Sequence, residues 1–251
     1  MTRHRSELRQ LARDEAAWRR RLEIDAFELA ALPPHLAALH REVAERARHR
    51  GVQGLVLTGS TVRNQRTEVS DLDYYLVGPE IDLDGLSYEI DLHLASRAKV
   101  ERSILAGDDF VQWSLRFGWI AVDDGTLREA IRLIVDRRPW PDHERKRRYA
   151  TKSMQLAAAM VASGDEDAAV VQVRTALSLA ARARLLAEGV FPLARLELVD
   201  QLEQIGESDV AQALLSSIEG SPSLDELARS VQRGEGLLGA TSHATTVARL
   251  P

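Results

Sequence analysis

The sequence predicts an α/β (α+β) domain with flanking helices, followed by an all-helical bundle. Three observations predict this. Short β-rich runs at 53–58, 71–77 and 88–95 are separated by turn residues in the first part of the chain. Pro139 and Pro141 then break the pattern. From about 142 to 238 the apolar residues recur at helical spacing only.

The elements follow in order. Leu8, Leu11, Ala12, Trp18, Leu22 and Phe27 give rough helical periodicity over about 6–31, and Pro33-Pro34 ends it. A second helix runs from His35 to about Arg50, with Gly51 as its C-cap. Segment 1–50 is thus two helices packing on the domain of 51–138. There, strand 53–58 leads into Gly59-Ser60 and a short helix from about Thr61. Strand 71–77 ends at Gly78-Pro79, and strand 88–95 follows. A helix over 97–106 stops at Gly107. Asp108-Asp109 can cap a helix over 110–117, with Phe110, Trp113, Leu115 and Phe117 as core candidates. Trp119 to Val122 adds a last short strand, and 126–137 another helix.

In 142–238, Met154, Ala157, Ala158 and Val161 make one stripe. Val170, Val173, Leu177 and Ala180 make another, broadened by Leu179, Ala183 and Leu186. So wide an apolar face belongs near the middle of a bundle. Gly164-Asp165, Gly189 to Pro192, and Pro222 separate the helices. The small, polar residues 239–251 read as a flexible tail.

Composition excludes some chemistries. The chain has 251 residues, 45% hydrophobic and 28% charged, which suits an ordinary globular protein. It has no cysteine, hence no thiol nucleophile, disulfide framework or Cys-based zinc site. The first ten residues lack an apolar signal region, and no run approaches a membrane span, so a cytoplasmic protein without a membrane partner is expected. A net charge of −5 argues against nucleic-acid binding over the whole surface. A basic stretch (Arg137, Arg138, Arg145, Lys146, Arg147, Arg148 and Lys152) reads either as a solvated helix start or as a phosphate or RNA contact.

The chemistry concentrates in GLVLTGSTVRNQRTEVSDLDYYLVG. An apolar run ends in Gly59-Ser60, and a β-rich run carrying Asp71 and Asp73 follows. On a strand, side chains alternate, so Asp71 and Asp73 share a face about 7 Å apart. In Tyr88-Glu89-Ile90-Asp91-Leu92-His93-Leu94, the apolar face holds Ile90, Leu92 and Leu94, and the other holds Glu89, Asp91 and His93. If the two strands are neighbours, Asp91 joins the first two acids. Clustered carboxylates suit hard divalent cations, and beside a phosphate-cradling turn they suit phosphoryl or nucleotidyl transfer.

These residues resemble the signature of the DNA polymerase β-type nucleotidyltransferase superfamily: a Gly-Ser turn, an Asp-x-Asp strand and a third acid on a following strand. The pattern is most similar to the small bacterial branch of kanamycin-type, lincosamide-type and minimal nucleotidyltransferases. Gly59, Ser60, Arg63, Ser70, Asp71 and Asp73 fall at matching positions, while Val62 and Asn64 replace the usual Ala and second Gly. The resemblance covers about residues 52–95. It implies a small mixed-sheet nucleotidyltransferase domain, with the helical domain walling an acceptor cleft and a homodimer left open.

The activity it implies is transfer of a nucleoside monophosphate from an NTP such as ATP to a hydroxyl of a small, antibiotic-like acceptor, releasing pyrophosphate. An antibiotic-resistance role would follow. Asp71 and Asp73 would hold the Mg²⁺ bridging the triphosphate. Asp91 would hold a second Mg²⁺ or take the acceptor's proton. Gly59 and Ser60 would contact the phosphates. Lys152 is a candidate triphosphate contact, and Arg63 either that or a local helix cap. His93 reads as a solvent-edge or packed residue. Two alternatives stand beside this one: a toxin-type enzyme acting on tRNA 3′ ends or on protein, and a catalytically silent nucleotide-binding module.

Overall fold

Strong turn and cap residues divide the chain into elements whose order sets up the site. A computed structural model describes residues 32–63, 70–86, 90–137 and 139–239. The helix expected over 6–31 and nearly all of the 239–251 tail lie outside the described residues. Contacts divide the chain into two compact units that meet in sequence at Pro141 and Asp142.

The first unit is built on a sheet of four strands among the described residues. They are β1 (Gly54–Leu57), β2 (Leu72–Val77), β3 (Ile90–Ala95) and β4 (Trp119–Asp123), in the spatial order β3-β2-β1-β4. β1 runs antiparallel to both β2 and β4, whereas β2 and β3 are parallel, so the sheet is mixed. β2 begins at Leu72, one residue later than its sequence pattern suggests, because its pairing with β3 starts at Leu72 and Ile90.

Alternation gives the sheet two apolar faces. Leu55, Leu57, Leu72, Tyr74 and Leu76 pack against Leu36, Val43, Ala44 and Ala47 of helix α1 (Pro34–Arg50). Val56, Tyr75, Val77 and Ala95 pack the other way. Their partners are Val100 and Ile104 of α2 (Arg97–Leu105), Val111 and Leu115 of α3 (Asp109–Phe117), and Leu127 and Ile131 of α4 (Thr126–Arg137). Of the α3 core candidates, Trp113 and Leu115 are buried, while Phe110 and Phe117 are half-buried. Asp108 caps α3 by accepting from the Phe110 and Val111 amides at 3.0 and 3.2 Å.

The regular elements described in the second unit are all helices. They are α5 (His143–Ser163), α6 (Glu166–Ala187), α7 (Glu197–Ile205), α8 (Ser208–Glu219) and α9 (Leu224–Gly239). α6 packs against each of the other four. Its stripe of Ala169, Val173, Ala176, Leu177, Ala180 and Ala181 is buried, and the small residues let neighbouring backbones come close. Asp142 and Asp165 cap α5 and α6 through the Arg145 and Ala168 amides, each at 3.0 Å. One break goes unread in the sequence: Gly206, at φ 87°, separates α7 from α8.

Candidate metal centre

The parallel pairing of β2 and β3 sets Asp73 directly opposite Asp91. Each is the second residue of its strand. Both point to the face that carries Tyr75, Val77 and Ala95 further along, so the acids occupy the polar end of a face that becomes apolar. Asp73 is half-buried, and Asp91 is exposed.

His93 lies two residues beyond Asp91, so alternation returns it to the same face. Its Nε2 is 3.5 Å from Asp91 Oδ2. Asp73, Asp91 and His93 each offer one ligand atom, and the three atoms lie within 4.8 Å of one another. The His93 ring packs edge-on against Phe110 of α3, with centroids 4.7 Å apart. Phe110 also packs edge-on against Tyr75, which is the register partner of His93. Burial, and then the charge of Asp108, push the Tyr75 phenol well above its usual range, so Tyr75 stays neutral beside the site.

The Gly-Ser turn closes on the same acid. The Thr58 amide donates to the Asp73 carbonyl at 2.8 Å, which ties the end of β1 to the start of β2. Gly59 follows at φ +71°, and a Cβ there would overlap the Asp73 carboxylate. Only glycine allows this backbone to lie so close to that side chain. The hydroxyl of Thr61 is buried in the turn with no hydrogen-bond partner.

The remaining sequence-derived residues are placed as follows. Asp71 is half-buried, one residue ahead of β2, and is not a member of the three-residue group within 4.8 Å. Ser60 is half-buried in the turn, and its carbonyl accepts from the Arg63 amide at 3.2 Å. The Arg63 guanidinium lies 5.0 Å above the Phe117 ring. Lys152 is an exposed residue of α5, in the second unit. In the basic stretch, Arg147 pairs with Glu144 at 2.8 Å, and the Arg145 guanidinium lies 5.9 Å above the Tyr149 ring. His93, read from the sequence as a solvent-edge or packed residue, is the third member of this candidate group. The signal was present, since its strand face already carried Asp91.

This donor set fits a divalent cation. Two carboxylates and an imidazole converge from adjacent strands, and the glycine cradle beside them leaves backbone where a side chain would otherwise stand. No protein-family model matches the sequence, and neither does any curated protein. Among solved structures, the chain is similar to a nucleotidyltransferase-like protein from Exiguobacterium sibiricum 255-15. Identity is 17% over 78% of this chain and 74% of that one, with a TM-score of 0.39. That likeness is loose, and the functional reading stands on the site's own residues. No described helix is long and apolar enough to cross a membrane.

Proposed function

We propose that this chain is a divalent-metal-dependent nucleotidyltransferase that moves a nucleoside monophosphate from an NTP to a hydroxyl of a small-molecule acceptor. The observation that carries the reading is the register pair Asp73–Asp91 with the Gly59 turn against the Asp73 carboxylate. A pair of acids alone would be an ordinary solvated strand end. A positive-φ glycine pressed against one of them gives backbone N–H groups and a metal ligand in one place, which a triphosphate needs.

Each residue then has a task. Asp73 and Asp91 hold the metal, and Asp71 offers a further carboxylate beside them. The Gly59 backbone and the Ser60 hydroxyl bind β- and γ-phosphate oxygens. Arg63, beside the turn, supplies a cationic contact to the triphosphate. Bound divalent cations, Mg²⁺ in the first instance, would neutralise the phosphate charge and align an in-line displacement at the α-phosphate. The acceptor class, a small antibiotic-like molecule, comes from the sequence resemblance.

The test follows the label. The protein, Mg²⁺ and each α-phosphate-labelled NTP are incubated with an antibiotic panel and a cell extract, alongside Asp73→Asn. Label entering a small-molecule fraction, and absent with Asp73→Asn, is the expected result. Label in tRNA or protein would move the reading to a macromolecular acceptor. Metal-dependent NTP binding without any transfer would leave a silent module. The absence of both transfer and NTP binding would sink the reading.

A further inference from the structure

We propose that His93 is a third ligand of the cation held by Asp73 and Asp91, so that the site prefers a borderline first-row cation to Mg²⁺. This rests on the metal-dependent reading above and refines it.

Spacing is the first support. Around an octahedral cation with bonds of about 2.1 Å, neighbouring ligand atoms stand about 3.0 Å apart and opposite ones about 4.2 Å apart. The 3.5 Å from His93 Nε2 to Asp91 Oδ2 is somewhat wider than the neighbouring spacing, so a small turn of either side chain brings both onto one cation. At that distance the two side chains form a loose ion pair, which a cation bound to both would replace. The Asp73 oxygen completes the group within 4.8 Å.

Orientation is the second support. A ligating imidazole needs its ring held with one nitrogen aimed inward. Phe110 packs against the His93 ring at 4.7 Å, and Asp108 anchors the start of the helix that carries Phe110. His93 is therefore exposed yet braced on one side, an arrangement that leaves Nε2 toward the acids.

Chemistry then sets the preference. Mg²⁺ takes oxygen ligands and keeps its waters, whereas an imidazole nitrogen favours later first-row cations. Mn²⁺ is the useful probe, because it accepts carboxylate and imidazole alike and reports its ligands by magnetic resonance.

The experiment binds Mn²⁺ alone to the purified full chain and reads nitrogen coupling in frozen solution by electron spin-echo modulation. Mg²⁺ competition gives the ratio of affinities. Wild type, His93→Gln, His93→Asp and Asp73→Asn are compared, with thermal unfolding to confirm folding. Loss of an outer-shell partner already costs about 10–100-fold in metal affinity, so His93→Gln should weaken Mn²⁺ by at least about tenfold and abolish the nitrogen signal. His93→Asp should restore binding without nitrogen coupling and shift preference toward Mg²⁺. Mn²⁺ bound through Asp73 with no nitrogen coupling, and unaffected by His93→Gln, would overturn this inference and leave the transferase reading standing. An absence of Asp73-dependent Mn²⁺ binding would overturn both.

Discussion

The two faces of β2 differ at one position, Asp73, and do opposite work. On one face, Leu72, Tyr74 and Leu76 are all fully buried under α1. The one polar tip there, the Tyr74 hydroxyl, is met by His40 Nδ1 at 2.9 Å, and the two rings stack at 5.8 Å. On the other face, Tyr75 and Val77 are buried, but the face opens at its first position, Asp73. One side is sealed along its length, and its polar groups satisfy each other. The other side is sealed only far enough to hold Asp73, Asp91 and His93 at the sheet's end. Both faces carry core, but only one carries the proposed chemistry, so activity should be separable from stability by mutation.

The sharpest way to break that comparison is Asp73→Asn. It leaves Leu72 and Tyr74 untouched, so the thermal midpoint should move by no more than about 2–4 °C, the equivalent of about 1 kcal/mol in a chain of this size. Turnover in the labelled-NTP assay should fall by about 10²-fold or more, because metal-borne charge stabilisation is worth several kcal/mol. A large loss of stability would show that the open face is structural after all.

The sealed face should respond to pH instead. Burial, with the Arg48 guanidinium adding to it, lowers the His40 pKa from 6.5 to about 4. In the unfolded chain His40 regains its ordinary pKa, so between these values the unfolded state binds more protons. The stability His40 contributes is therefore complete above about pH 6.5 and is lost as pH falls toward 4, by about 3 kcal/mol over that range. Denaturant unfolding at pH 7.5 and 4.5 measures the loss. His40→Leu should flatten the dependence, and an unchanged slope would exclude His40 as its source.

Gly59 joins the two faces, since it ends the strand next to β2 and touches the acid. Gly59→Ala should cost about 1–2 kcal/mol for the left-handed backbone alone, visible as a lower thermal midpoint. The added methyl would also displace the Asp73 carboxylate, so Mn²⁺ affinity should drop with it. Unchanged metal binding would mean that the turn and the acid are independent.

Much of this was legible in the sequence, for identifiable reasons. Alternation puts Asp91 and His93 on one face, and helical spacing identifies Val173, Leu177 and Ala180 of α6 as buried. Asp108 is legible as a cap because it precedes an apolar helical run. What stayed hidden depended on partners distant in sequence. The parallel alignment of Asp73 with Asp91 follows from strand pairing across a long connection, and no local residue encodes that register. The same pairing begins β2 at Leu72, so alternation could not be carried back to Asp71. His93 reads from the sequence as a solvent-edge or packed residue, because its closeness to Asp73 depends on a neighbour supplied by another strand. Gly206 was passed over because a single glycine inside an apolar helical pattern reads as tolerated.

The smallest effect is expected where charge is densest. Arg147 and Glu144 are one turn apart on α5, 2.8 Å from each other, and both about half exposed. Water screens such a pair, and holding two long side chains in place costs entropy, so Arg147→Ala should change stability by less than about 1 kcal/mol. Transfer activity supplies the more informative reading. If the basic stretch around α5 is only a solvated helix start, Arg147→Ala leaves the labelled-NTP assay unchanged. A loss of label transfer at unchanged stability would instead make this helix part of a phosphate or RNA contact. It would also weaken the view that the chemistry belongs to the open face of β2 alone.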